Sequence, residues 1–175
     1  MRIGLMIGLE KGRSREKLAR LLADAQAAEK LGFASLWVPQ PPGEFDALTA
    51  AALLGGATER VEIGTAILPI QTRHPLAMAQ QSLSTQAACA GRFTLGIGTS
   101  HHWIVQDMLG LPYERPAVLM RHYLEVLNAA FTAQGRVDVE NESFRVHSPL
   151  DVTDITPNPV LIAALGPVML RMAGE

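Results

Sequence analysis

The chain has 175 residues, 48% of them hydrophobic and 18% charged, enough for one substantial core and too apolar for disorder. Its formal net charge is -2, with 15 basic residues scattered along it, which excludes the clustered cationic surface of a nucleic-acid binder. The single cysteine, Cys89, excludes an intrachain disulfide, no run approaches the roughly 20 apolar residues of a membrane span, and MRIGLMIGLEKG lacks the signal-peptide pattern, so a cytoplasmic protein with no membrane partner is expected.

Residues 2–8, RIGLMIG, are an apolar run suited to a strand buried on both faces. Ser14 then caps a predicted helix whose apolar positions Leu18, Leu21, Leu22, Ala25, Ala28 and Leu31 recur at helical spacing, and Gly32 ends it. A second unit has strand ASLWVP at 34–39, a turn-rich QPPGEF and a helix capped by Asp46 running through ALTAAALLGGA. The third has strand VEIGTAIL at 61–68, loop PIQTRH and a helix from Pro75, with Leu76, Ala79, Leu83 and Ala87 on one face and Gly91 closing it. In the fourth, strand RFTLGIG at 92–98 leads to a loop and a longer helix from Pro116, with Leu119, Tyr123, Leu127 and Ala130 aligned. Residues 135–158 read as an inserted hairpin or loop region with Asn141 at its turn, a candidate for a variable substrate-pocket loop. PVLIAAL at 159–165 is a fifth strand, and Gly166-Pro167 opens a helix that has barely begun at Glu175.

Strand alternating with helix at a spacing of about 30 residues implies βαβ crossovers and a parallel sheet. A doubly wound sheet and a (β/α)8 barrel both fit. The glycine fingerprint of the first is incomplete, since Gly96-Ile-Gly98-Thr-Ser-His101 lacks the third glycine and no helix follows it at once. The expected fold is therefore an α/β (β/α)8 TIM barrel over residues 1–175, of which about the first five βα units are present.

The segments RIGL, EKLGFASLWVPQ, FDALTAAALL, ERVEIGTAILPIQTRHP, GRFTLGIGTSH and ALGPVMLRMAGE together resemble the bacterial-luciferase-like superfamily, most nearly its deazaflavin (coenzyme F420)-dependent oxidoreductases. The resemblance covers essentially the whole chain. It implies a barrel, usually dimeric, with the cofactor ring at the carboxyl ends of the strands, and a chain lacking roughly the last three units of that barrel. It further implies hydride transfer between coenzyme F420 and a small organic substrate, with a flavin-mononucleotide (FMN) monooxygenase as the alternative.

In a barrel the carboxyl-end strand tips carry the chemistry. At the second tip, Gln40 either hydrogen-bonds the ring edge or caps a turn, and Asp46 reads as a helix cap ahead of a catalytic acid. At the third, the resemblance implies a cis peptide at Ala66-Ile67 beneath the ring, where residues alone would indicate ordinary strand. Arg73 and His74 follow as candidate substrate contacts, His74 equally as a helix-start residue. At the fourth tip, Thr99 and Ser100 are candidates to bind the ring, and His101 to move a proton, which histidine does near neutral pH. His101 stands where related deazaflavin enzymes often carry a carboxylate. His102 and Trp103 are candidate substrate neighbours, or respectively a solvated residue and rim packing.

The five histidines show no zinc spacing, and no metal is expected. No nucleophile elbow or P-loop is present. Cys89 and Trp37 read as core residues. A different class of function also fits a short barrel: a non-catalytic half-barrel acting by association through its open edges.

Overall fold

The computed structural model describes residues 1–152 and 154–175. Strand β1 (Gly4–Met6) leads to α1 (Ser14–Lys30), β2 (Ser35–Val38) and α2 (Ala47–Ala57), then to β3 (Glu62–Thr65), the two-residue β4 (Leu68–Pro69) and α3 (Pro75–Ala88). Strand β5 (Phe93–Gly98), α4 (Pro116–Thr132), the β6 (Arg136–Glu140) and β7 (Arg145–Pro149) pair, β8 (Val160–Ile162) and α5 (Pro167–Gly174) complete it. One six-stranded sheet runs β1-β2-β3-β5-β4, with β8 also on β5, and the paired strands are parallel. This is the expected parallel α/β arrangement of a barrel's successive units.

The predicted third strand is broken. Its first half pairs Ile63 with Phe93, its second pairs Leu68 with Ile97, and the cis Ala66-Ile67 peptide lies between them. Periodicity cannot show such a break, because both halves are apolar and both lie against β5. The fifth strand is shorter than expected, ending at Ile162.

Between sheet and helices lies a continuous core. Leu36, Ile63, Phe93, Leu95 and Ile97 have no solvent exposure, and they meet Leu21, Leu54, Met78, Met120 and Leu127 from α1 to α4. Cys89 belongs to this layer, and burial pushes its thiol up to about 11 against the opposing pull of Arg92. The sheet is open at its outer strands. Met6 on β1 and Leu161 on β8 remain 57% and 52% exposed, so the expectation that the first strand is buried on both faces fails. That strand is an edge, bonded only to β2 in the sheet. Trp37 is half-buried on this open side, its ring filling the space a side chain at Gly64 would need.

Local chemistry sets the helix ends. Arg13, not Ser14, is the N-cap of α1 and makes no side-chain capping bond. Gly32 follows α1 with a φ of +85°, its N–H donating to the Glu29 carbonyl while that of Phe33 donates to Ala28, the expected stop. The Glu29 carboxylate accepts from the backbone N–H of Arg60, Val61 and Glu59, tying α1 to the start of β3. Burial opposes its charge, but these donors hold its carboxyl below the usual range. The hairpin turn is built on Asn141, whose Oδ1 accepts from Ser143 and Phe144 N–H at 3.0 and 2.8 Å. Val137 and Val146 are buried in the core layer while Arg136, Asp138, Glu140, Arg145 and His147 face water.

Candidate functional site

Parallel strands all point their carboxyl ends to one rim, and there β2, β4, β5 and β8 end around a cavity of about 800 Å³. From the second tip come Pro39 and Gln40, from the third Ala66, Ile67 and Pro69, and from the fourth Thr99, Ser100, His101 and His102. Ala163, Ala164 and Leu165 follow β8, and Met169 looks in from α5. Gly98 allows the walls to meet: a Cβ there would lie 2.9 Å from Ile67 Cδ1 and 3.0 Å from Ala163 Cβ. Any larger residue at the end of β5 would push these two walls apart.

The β5 tip is held by two further residues. Gln71 donates from Nε2 to the Thr99 carbonyl at 2.8 Å. The Tyr113 hydroxyl donates to the Ser100 carbonyl at 3.1 Å and lies 3.4 Å from Thr99 Oγ1. Its ring meets that of His102 edge-on at 5.9 Å. Ser100 takes a left-handed conformation, φ 56°, so these bonds fix a turn that its own sequence disfavours. A short π-helix, Ile104–Met108, follows and turns Ile104 toward the cavity.

Gln40 has both roles open to it from the sequence. Its Oε1 accepts from Ala47 N–H at 2.7 Å, bracing the start of α2, while the residue lines the cavity. Asp46 is the N-cap of α2, accepting from Thr49 N–H at 2.9 Å, and its other oxygen pairs with Arg73.

Three expected substrate contacts are placed elsewhere. Arg73, largely buried and ion-paired with Asp46, lines a smaller side pocket of about 260 Å³ instead of the main cavity. His74 is the N-cap of α3, its Nδ1 accepting from Leu76 N–H at 3.3 Å and its ring edge-on to Phe144. Placing it in the cavity would forfeit the cap, which Pro75 at the first helical position makes possible. Trp103 is 53% exposed outside the cavity and stacks on His101, the rings 6.2 Å apart and 16° from parallel. The hairpin likewise lies against the core layer beside α4, and none of its described residues lines the cavity.

Conversely, Leu9, Ile104, Tyr113 and Met169 line the cavity without having stood out in the sequence. Tyr113 carries one signal: an aromatic in the Gly-Pro-rich loop GLPYERP, where no core position calls for it. No cluster of His, Cys, Asp or Glu able to hold a metal ion is found among the described residues, and none of their helices is long and apolar enough to cross a membrane.

The family described as luciferase-like monooxygenase matches residues 1–175. The chain is 33% identical over 190 residues to an F420-dependent glucose-6-phosphate dehydrogenase of Beutenbergia cavernae, covering 100% of this chain and 54% of that protein. It is 32% identical over 187 residues to an F420-dependent hydroxymycolic acid dehydrogenase of Mycobacterium tuberculosis, covering 99% and 50%. Its fold is similar to the coenzyme F420-dependent tetrahydromethanopterin reductase of Methanopyrus kandleri, with a TM-score of 0.84 at 22% identity over 99% of this chain and 53% of that one. The chain thus spans about half the length of the relatives it matches.

Proposed function

This chain belongs to the luciferase-like monooxygenase family, and on that premise we propose that it serves an oxidoreductase transferring hydride between coenzyme F420 and a small organic substrate. The observation that carries this reading is the single cavity uniting Gln40, Ala66, Ile67, Thr99, Ser100 and His101 from three separate strand tips. Names of relatives 32% and 33% identical to the chain add support.

The residues present fit a planar, polar-edged ring. Ile67, Pro69, Ala163 and Ala164 are small or flat apolar walls, and Gly98 keeps the first and third of them close. Gln40, with Nε2 left to donate once Oε1 is committed to Ala47, would hold the ring's polar edge together with Thr99 and Ser100. When bound, a deazaflavin supplies hydride chemistry and reacts poorly with oxygen. The chain's own share is orientation and proton handling. His101 holds and moves the substrate's proton at an imidazole nitrogen, and Trp103 keeps its ring plane by stacking. A homodimer is part of this reading.

Fluorescence titration with coenzyme F420 and, in parallel, with FMN tests it. The expected result is saturable binding of the deazaflavin, FMN binding at least about ten-fold weaker, and a His101→Ala protein that still binds but transfers hydride about 100-fold more slowly. Binding of FMN alone would transfer the reading to an oxygen-activating monooxygenase. Binding of neither would favour association without catalysis.

A further inference from the structure

The larger cavity has two poles. At one, the Thr99–His102 turn, Gln40 and Tyr113 present hydroxyl, amide and imidazole groups; at the other, Leu9, Leu165 and Met169 present only hydrocarbon and thioether. Among the described lining residues there is no Lys, Arg, Asp or Glu. The nearby cation, Arg73, belongs to the side pocket and is already paired with Asp46.

An ionised phosphate or carboxylate entering this space would lose its hydration and find no opposite charge to replace it. An alkyl body would gain with every methylene removed from water. We infer that the part of the cavity built by this chain selects an uncharged, largely apolar substrate with one polar group, that group lying beside His101 and His102, clear of the Gln40, Thr99 and Ser100 groups given to the ring, and the apolar body reaching toward β1 and α5. Phosphorylated and carboxylated substrates are disfavoured. The inference rests on the proposed function for the word substrate, but the binding preference belongs to the cavity itself.

A matched pair of probes separates charge from bulk: octan-1-ol and octyl phosphate have the same apolar body and differ in the head. Calorimetric titration of the 175-residue chain at pH 8, above the ordinary imidazole range, is expected to show saturable octanol binding and octyl phosphate at least about ten-fold weaker. His102→Arg, which sets a fixed positive charge at the polar pole on an exposed residue, is expected to strengthen octyl phosphate several-fold. Equal or tighter binding of the phosphate ester to the unmodified chain overturns the inference, as does absence of saturable octanol binding. Coenzyme F420 is titrated separately by its own fluorescence. Its failure to bind, with the octanol preference intact, sinks the proposed function alone; a reversed charge preference with the coenzyme bound sinks this inference alone.

Discussion

Strand β5 and the β6–β7 hairpin are both short β elements, yet water meets them differently. All six residues of β5 are buried, whereas β6 and β7 each alternate between an exposed position, mostly charged or polar, and a position packed inward. The sequences say why: FTLGIG is a continuous run of apolar and small residues, while RVDVE and RVHSP alternate. A strand enclosed on both faces stabilises by packing and can present chemistry only at its tip. One that is half in water tunes its stability by surface charge.

Phe93→Ala tests the packed side of this contrast and should have the largest effect. The ring is fully buried between sheet and helices, so its loss should cost about 3–5 kcal/mol, read as a lowered urea midpoint with the slope unchanged. A cost under about 1 kcal/mol would mean the core there collapses freely.

Tyr113→Phe moves the comparison to the tip. Removing the hydroxyl that holds the Ser100 carbonyl should cost only about 1 kcal/mol of stability, while coenzyme affinity falls by about five-fold because the turn loosens. Equal affinity for the variant and the parent would show that the turn holds its shape without this bond.

The hairpin should respond least in magnitude and most to pH. Hydrogen bonds from His147 to Asp138 and to Glu140, both 2.9 Å, hold its imidazole above the ordinary value. Its contribution is therefore complete below that ordinary value and is lost as pH rises through the raised one. Asp138 is held low by Arg136 and then His147, and Glu140 by His147 and then Arg145, so their contributions are complete above the ordinary carboxylate range and fade on acidification. Amide exchange at Val137 and Val146 should show protection falling at both ends of the pH range. His147→Ala should abolish the alkaline fall; an unchanged profile would show that these exposed pairs do nothing for the hairpin.

Much of the architecture was legible because it depends on local pattern. The helix cap at Asp46, the stop at Gly32, the Pro75 and Pro116 helix starts and the Asn141 turn are each set by a residue's own chemistry and a neighbour a few positions away. The Gly96–Ser100 segment was legible as a strand tip by the same logic. The site itself was only partly so. Arg73 and His74 follow the third tip in sequence as candidate contacts should, but Asp46, 27 residues before Arg73, draws the guanidinium aside, and the α3 N-terminus claims the imidazole. Leu9, Tyr113 and Met169 enter the cavity from segments whose sequences carry no sign of a common destination.

By itself, the sequence determined which segments become strands and helices, that the strands run parallel, and which polar residues stand at their carboxyl ends, because hydrophobic period, capping and turn chemistry act over a few residues. The cis Ala66-Ile67 bond that breaks the third strand was expected from the family resemblance and is present, but only the tertiary structure decided that Arg73 is drawn to Asp46 and that the cavity has a neutral polar pole facing an apolar one. Those outcomes depend on pairs of residues far apart in the chain, and such pairs exist only once the sheet has brought its strand tips to one rim.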